Sequence, residues 1–137
     1  MAASARISPQ SSYVLSLLRV VAGFTFTQHG VQKLLGLLGG MGGHGARAHF
    51  LSIFWFAGVI EVIGGVLIVL GLFTRPVALI LCGEMAFAYF HAHAPRGFWT
   101  LQNGGELAVL YCFLFLYLFA AGAGPVSLDR FFRRRDL

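Results

Sequence analysis

Four long apolar runs, broken by few ionisable residues, fix what this chain can fold into. They extend roughly over residues 13–38, 50–73, 76–94 and 104–124. A helix crosses the hydrocarbon core of a bilayer with about 20 apolar residues, so each run is long enough to span. The expected fold is all-α: an integral membrane, antiparallel four-helix bundle forming a single domain over residues 1–137. Hydrophobic residues make up 58% and charged residues 11%, against about 25% charged in soluble domains. Such a chain has too few polar groups to cover a soluble surface, and the lipid bilayer is its first expected partner.

The breaks between runs have physical causes. The segment Gly39-Gly40-Met41-Gly42-Gly43-His44-Gly45 cannot hold a helix cheaply, because interior glycine costs about 1 kcal/mol per position. Thr74-Arg75-Pro76 reads as a tight turn with proline opening the next helix. Pro95-Arg96-Gly97 ends the third run, and Asn103, with Glu106 three residues on, reads as the N-cap of the fourth. Arg6 and Arg19 with the apolar run around them resemble a signal peptide, but no small-x-small cleavage site follows. The first run is expected to remain as a span.

Lysine and arginine in short loops set orientation. Arg6, Arg75, Arg130, Arg133, Arg134 and Arg135 fall on one side, and Lys33, Arg47 and Arg96 on the other. The bias predicts both termini in the cytoplasm, in the inner membrane of the cell. Trp55 and Trp99 then lie near the outer interface, where aromatic belts form.

The net charge of +5 raises the question of nucleic acid. The basic residues sit singly between apolar runs, apart from the cluster Arg130-Phe131-Phe132-Arg133-Arg134-Arg135. That is the pattern of topology signals and anionic headgroup contacts, so no nucleic-acid partner is expected. Cys82 and Cys112 form no CxxC and belong to no Cys/His cluster, so no metal is expected. At about 1.5 Å rise per residue they are expected roughly 9 Å apart in depth and unpaired.

Ionisable groups at membrane depth are costly and are by default functional candidates. Glu61 falls near the middle of the second run, with Ala57, Gly58, Gly64 and Gly65 on its face. Small residues at that spacing admit a neighbouring helix, so Glu61 points into the bundle, as structural glue or as a functional group. Glu84, in the third run, shares a face with Ala88 and His91; a carboxyl below an imidazole can pass protons, although histidines there also suit the interface. His29, Gln32 and Lys33 occupy the outer half of the first run. Glu106 is the carboxylate expected at the height of Lys33, which predicts a Lys33–Glu106 pair. Arg19 is expected to snorkel to the inner headgroups, or else to lean toward Glu61 and Glu84. The candidate ligand or proton-route residues are His29, Gln32, Lys33, Glu61, Glu84, His91 and Glu106.

At these residues the sequence resembles the DoxX family of four-helix membrane proteins. The matching stretches are Leu18-Arg19 with Gly23, His29-Gly30-Val31-Gln32-Lys33-Leu34, the segment from Gly58 through Glu61, Gly64, Gly65 and Gly71 to Thr74-Arg75, Asn103-Gly104-Gly105-Glu106, and Ser127-Leu128-Asp129. Members of that family include the membrane subunit of a thiosulfate:quinone oxidoreductase, and relatives linked to redox balance or protein maturation. The resemblance implies a redox-linked, quinone-associated membrane subunit and assigns no catalytic step. The sequence has no haem-ligand pattern, iron–sulfur spacing or dithiol motif, so the redox centre would be the quinone itself or a redox partner. A membrane scaffold or assembly factor, and a small transporter working as a homo-oligomer, stand as alternatives.

Overall fold

The computed structural model describes residues 8–135. The fold is all-α, with no strand among the described residues. Four long helices carry it: α1 (Pro9–Leu35), α2 (Ile53–Leu70), α3 (Thr74–Ala88) and, after the short α4 (Thr100–Asn103), α5 (Glu106–Ala121). An amphipathic helix, α6 (Leu128–Arg135), ends the described chain. α3 continues through a π-turn (Tyr89–His93) and a 3-10 turn (Ala94–Arg96). Helix α2, and α3 with its extension to Arg96, are long and apolar enough to cross a membrane. α5 is apolar but shorter.

Element boundaries follow local chemistry. Ser8 caps α1 by accepting from Ser11 N, and Pro9 opens the helix. Ser52 caps α2 through Trp55 N, three residues later than the apolar run alone suggests. Gly71 ends α2 in the left-handed conformation at φ 66°, a geometry glycine adopts without steric cost. α3 starts at Thr74 rather than Pro76, because the Asp129 carboxylate accepts from Phe73 N at 2.7 Å and Thr74 N at 2.9 Å. Asn103 is not the cap of α5. That position belongs to Gly105, and Asn103 instead ties the preceding loop, donating to Gly97 O and accepting from Gly105 N, both at 2.7 Å.

α1 packs chiefly on α2 and α3 on α5, with α2 against α3 joining the two pairs. The α1–α2 seam is built from glycine. A Cβ on Gly30 would lie 2.6 Å from Gly58 O, and one on Gly23 would lie 2.8 Å from Gly65 O. The backbones touch only because those atoms are missing. On the other side of α2, Gly64 receives Leu81 of α3. Phe26, Ile68, Leu81, Phe115 and Leu118 form the buried centre.

Arg19 neither snorkels nor reaches the acidic residues. It is 1% exposed. Its guanidinium donates to Ile68 O, to Val69 O and Val126 O at 2.5 Å, and to Ala123 O at 2.8 Å. The last carbonyls of a helix lack intrahelical partners and carry partial negative charge. Arg19 satisfies those at the end of α2 and pins the segment after α5 to them.

Candidate functional site

A cavity of about 620 Å³ opens between α1, α2, α3 and the beginning of α5. Its walls are mostly apolar, with Phe26, Ile60, Met85 and Leu107 among the lining residues. Five of the seven residues expected to form a site line it: His29, Lys33, Glu61, Glu84 and His91. His93 and Tyr111 line it as well.

The polar centre is an ion pair. Lys33 Nζ donates to Glu61 Oε1 at 2.5 Å and Oε2 at 2.6 Å. Glu61 is 2% exposed, and the Lys33 side chain 21%. Among the described residues it is the only ion pair. The partner expected from depth, Glu106, is instead an exposed residue at the first position of α5. The glycine seam explains the exchange. A Cβ on Gly58 would sit 3.2 Å from Lys33 Cβ, so α1 lies close enough to α2 for the four-carbon stem of Lys33 to run down to the middle of α2. Depth alone ignores the length of a lysine side chain.

Glu84 faces this pair from α3. Both its carboxyl oxygens are buried without a hydrogen-bond partner. Buried polar groups are nearly always satisfied, so an unmet carboxyl in a cavity wall marks where a polar ligand group or proton carrier would be accommodated.

Tyr111 was not singled out by sequence, although a hydroxyl in an apolar run needs a partner. Its Oη donates to Thr25 Oγ1 at 2.7 Å, and its ring meets His29 edge-on with centroids 6.0 Å apart. This joins α5 to α1 and fixes one wall. The π-turn sets the histidines: His91 is exposed and stacks on Phe87 at 5.1 Å, while His93 Nδ1 lies 3.1 Å from Asn103 O. Gln32 stands outside the cavity wall and donates to Leu38 O at 3.3 Å.

The two cysteines are unpaired as expected, but their depth departs from expectation. Cys82 Sγ and Cys112 Sγ are in contact at 3.7 Å, both free thiols. They join α3 to α5 at one height rather than lying apart in depth.

The chain is 47% identical over 127 residues to an uncharacterised protein of Haemophilus influenzae, covering 89% of this chain and 93% of that one. It is 28% identical over 133 residues to a protein of Mycobacterium tuberculosis described as an uncharacterised membrane protein, covering 86% and 80% respectively. No solved structure gives a significant match. The DoxX family model matches residues 14–94, which hold most of α1, all of α2 and α3, and with them Lys33, Glu61 and Glu84. With more than half of its length matched, the chain belongs to the DoxX family of membrane proteins.

Proposed function

We propose that this protein is a redox-linked, quinone-associated subunit of the inner membrane. In this reading it is an antiparallel bundle crossing the bilayer four times with both termini cytoplasmic. One observation carries the functional part. The Lys33–Glu61 pair and the unpartnered oxygens of Glu84 share a largely apolar cavity. Its volume of about 620 Å³ falls within the range of about 300–1,000 Å³ usual for small-molecule sites.

The residues present fit a flat, conjugated ring bearing carbonyl oxygens. Apolar walls suit the ring, and the Lys33 ammonium can donate to a carbonyl while retaining Glu61. A quinone, when bound, supplies reversible two-electron, two-proton chemistry. This chain's own residues then have separate tasks. Lys33 orients the head, Glu61 holds Lys33, and Glu84 holds a proton beside the ring. His29 and His91 carry protons, the exposed His91 linking the cavity to the surface. The electrons come from a partner redox protein.

The test is lipid extraction and ultraviolet difference spectroscopy of the purified protein before and after borohydride. Bound quinone is expected in the wild type, with clear loss in Lys33→Met and Glu84→Gln. Wild-type protein without quinone, and variants that behave like it in cells, would favour the scaffold or assembly-factor reading.

A further inference from the structure

A second cavity, of about 530 Å³, lies at the other end of the helices, where α2 turns into α3. Arg75 at the start of α3 and Arg130, Arg133 and Arg134 of α6 line it. It contains one carboxylate, that of Asp129, already engaged by the backbone N–H groups of Phe73 and Thr74. Among the described residues, Asp129 makes no ion pair with an arginine. Four arginines therefore line a space holding a single, occupied counter-charge.

A second observation points to a ligand. Thr74 also lines this cavity, is 1% exposed, and its hydroxyl has no hydrogen-bond partner. An orphan hydroxyl on a residue lining the same cavity as arginines without ion-pair partners among the described residues suits an anion with several acceptor oxygens. Phosphate matches that description, since guanidinium binds its oxygens through paired N–H donors.

We infer that this cavity binds the phosphodiester head of an anionic phospholipid. The aromatic residues around it decide between a lipid and a soluble phosphate. Phe73, which lines the cavity, is 63% exposed, and on α6 Phe131 and Phe132, outside its lining, are 54% and 48% exposed. Aromatic side chains in such positions belong at a membrane interface, and they offer the acyl chains an apolar path beside the charged head. Arg135 stands apart, with its guanidinium over the Phe131 ring at 5.6 Å. The head is held by Arg75, Arg133 and Arg134, with Thr74 donating from the wall.

The experiment uses the full chain reconstituted in phosphatidylcholine vesicles with or without phosphatidylglycerol. Native mass spectrometry then reads the lipid retained on release. Wild-type protein is expected to keep phosphatidylglycerol. The double variant Arg75→Gln/Arg133→Gln should retain about tenfold less or lower still, a tenfold loss being what one charge-assisted contact is worth. Thr74→Val should retain less with unchanged melting, which keeps the test decisive if the arginine variant fails to fold. Arg47→Gln, in the distant loop after α1, should behave as wild type. Wild-type retention in both Thr74→Val and the arginine variant would overturn the site. Inorganic phosphate binding equally well in vesicles of phosphatidylcholine alone would overturn the lipid as its occupant.

Discussion

The Lys33 ammonium on α1 grips both carboxylate oxygens of Glu61 on α2, at 2.5 and 2.6 Å. An ion pair this buried is best understood by what its loss leaves behind. Removing one partner strands the other charge and costs about 3–5 kcal/mol, whereas removing both leaves no stranded charge. Lys33→Met and Glu61→Gln should each lower the melting temperature in detergent strongly. The double variant should melt above at least one of the singles. Glu106→Gln should change little. Strictly additive single and double effects, or an equally large effect at Glu106, would remove the pair from the account.

Arg19 tests a different bond type. Its guanidinium serves four backbone carbonyls from two chain segments. Hydrogen bonds to a charged group contribute about 1.5–3 kcal/mol each. A lysine ammonium is a point charge without the planar fork needed to reach all four. Arg19→Lys, with three donors for four carbonyls, should therefore destabilise by about 1.5–3 kcal/mol or more, from at least one lost bond. Arg19→Met should cost more still. Thermal unfolding of purified protein reads both, and a lysine variant with wild-type stability would contradict this role.

Glycine in this chain has two different uses, and substitution separates them. At Gly30 a Cβ would meet backbone, 2.6 Å from Gly58 O and 2.7 Å from Val62 N. Backbone cannot step aside without parting α1 from α2. At Gly83 a Cβ would meet nothing within 4 Å. Gly30→Ala should cost about 1–3 kcal/mol, as overpacking does, and loosen the Lys33–Glu61 pair. Gly83→Ala should stay within about 0.5 kcal/mol of wild type or gain slightly, alanine being the better helix former. Equal melting temperatures would show that the seam tolerates separation.

What sequence reveals here is set by periodicity and by the cost of polar groups in lipid. The four apolar runs gave the helices, and the small residues around Glu61 gave its inward direction, since Gly58 and Gly65 receive α1 and Gly64 receives α3. His29, Lys33, Glu61, Glu84 and His91 were legible as a group because each is an ionisable residue within an apolar run. Partner choice was not legible. Ranking by depth paired Lys33 with Glu106, because a depth estimate holds neither the side-chain length nor the closeness of two glycine-lined helices. Arg19 was misread for a related reason: its acceptors are carbonyls at the end of α2 and beyond α5, which no side-chain pattern displays. The trans cap from Asp129 to the start of α3 is equally invisible until the chain is folded.

The thiols of Cys82 and Cys112 provide a direct ruler for the α3–α5 register. Taking the spans from apolar runs places them about 9 Å apart in depth. Two boundary shifts remove that gap. α3 begins at Thr74 instead of Pro76, and α5 ends at Ala121 instead of Gly124. Measured from that shared end, the two cysteines lie about 12 and 13.5 Å along their helices at about 1.5 Å per residue, and their sulfurs touch at 3.7 Å. A disulfide needs the sulfurs to close to about 2.05 Å with a fixed dihedral preference, a small movement from this contact. With a protease site inserted at Gly97, copper–phenanthroline oxidation should hold the two fragments together on a non-reducing gel, and reduction should part them. Cys82→Ser should part without reduction. Fragments that separate after oxidation of the wild-type chain would mean that α3 and α5 are out of this register, and the wall they share around Glu84 and Tyr111 would have to be redrawn.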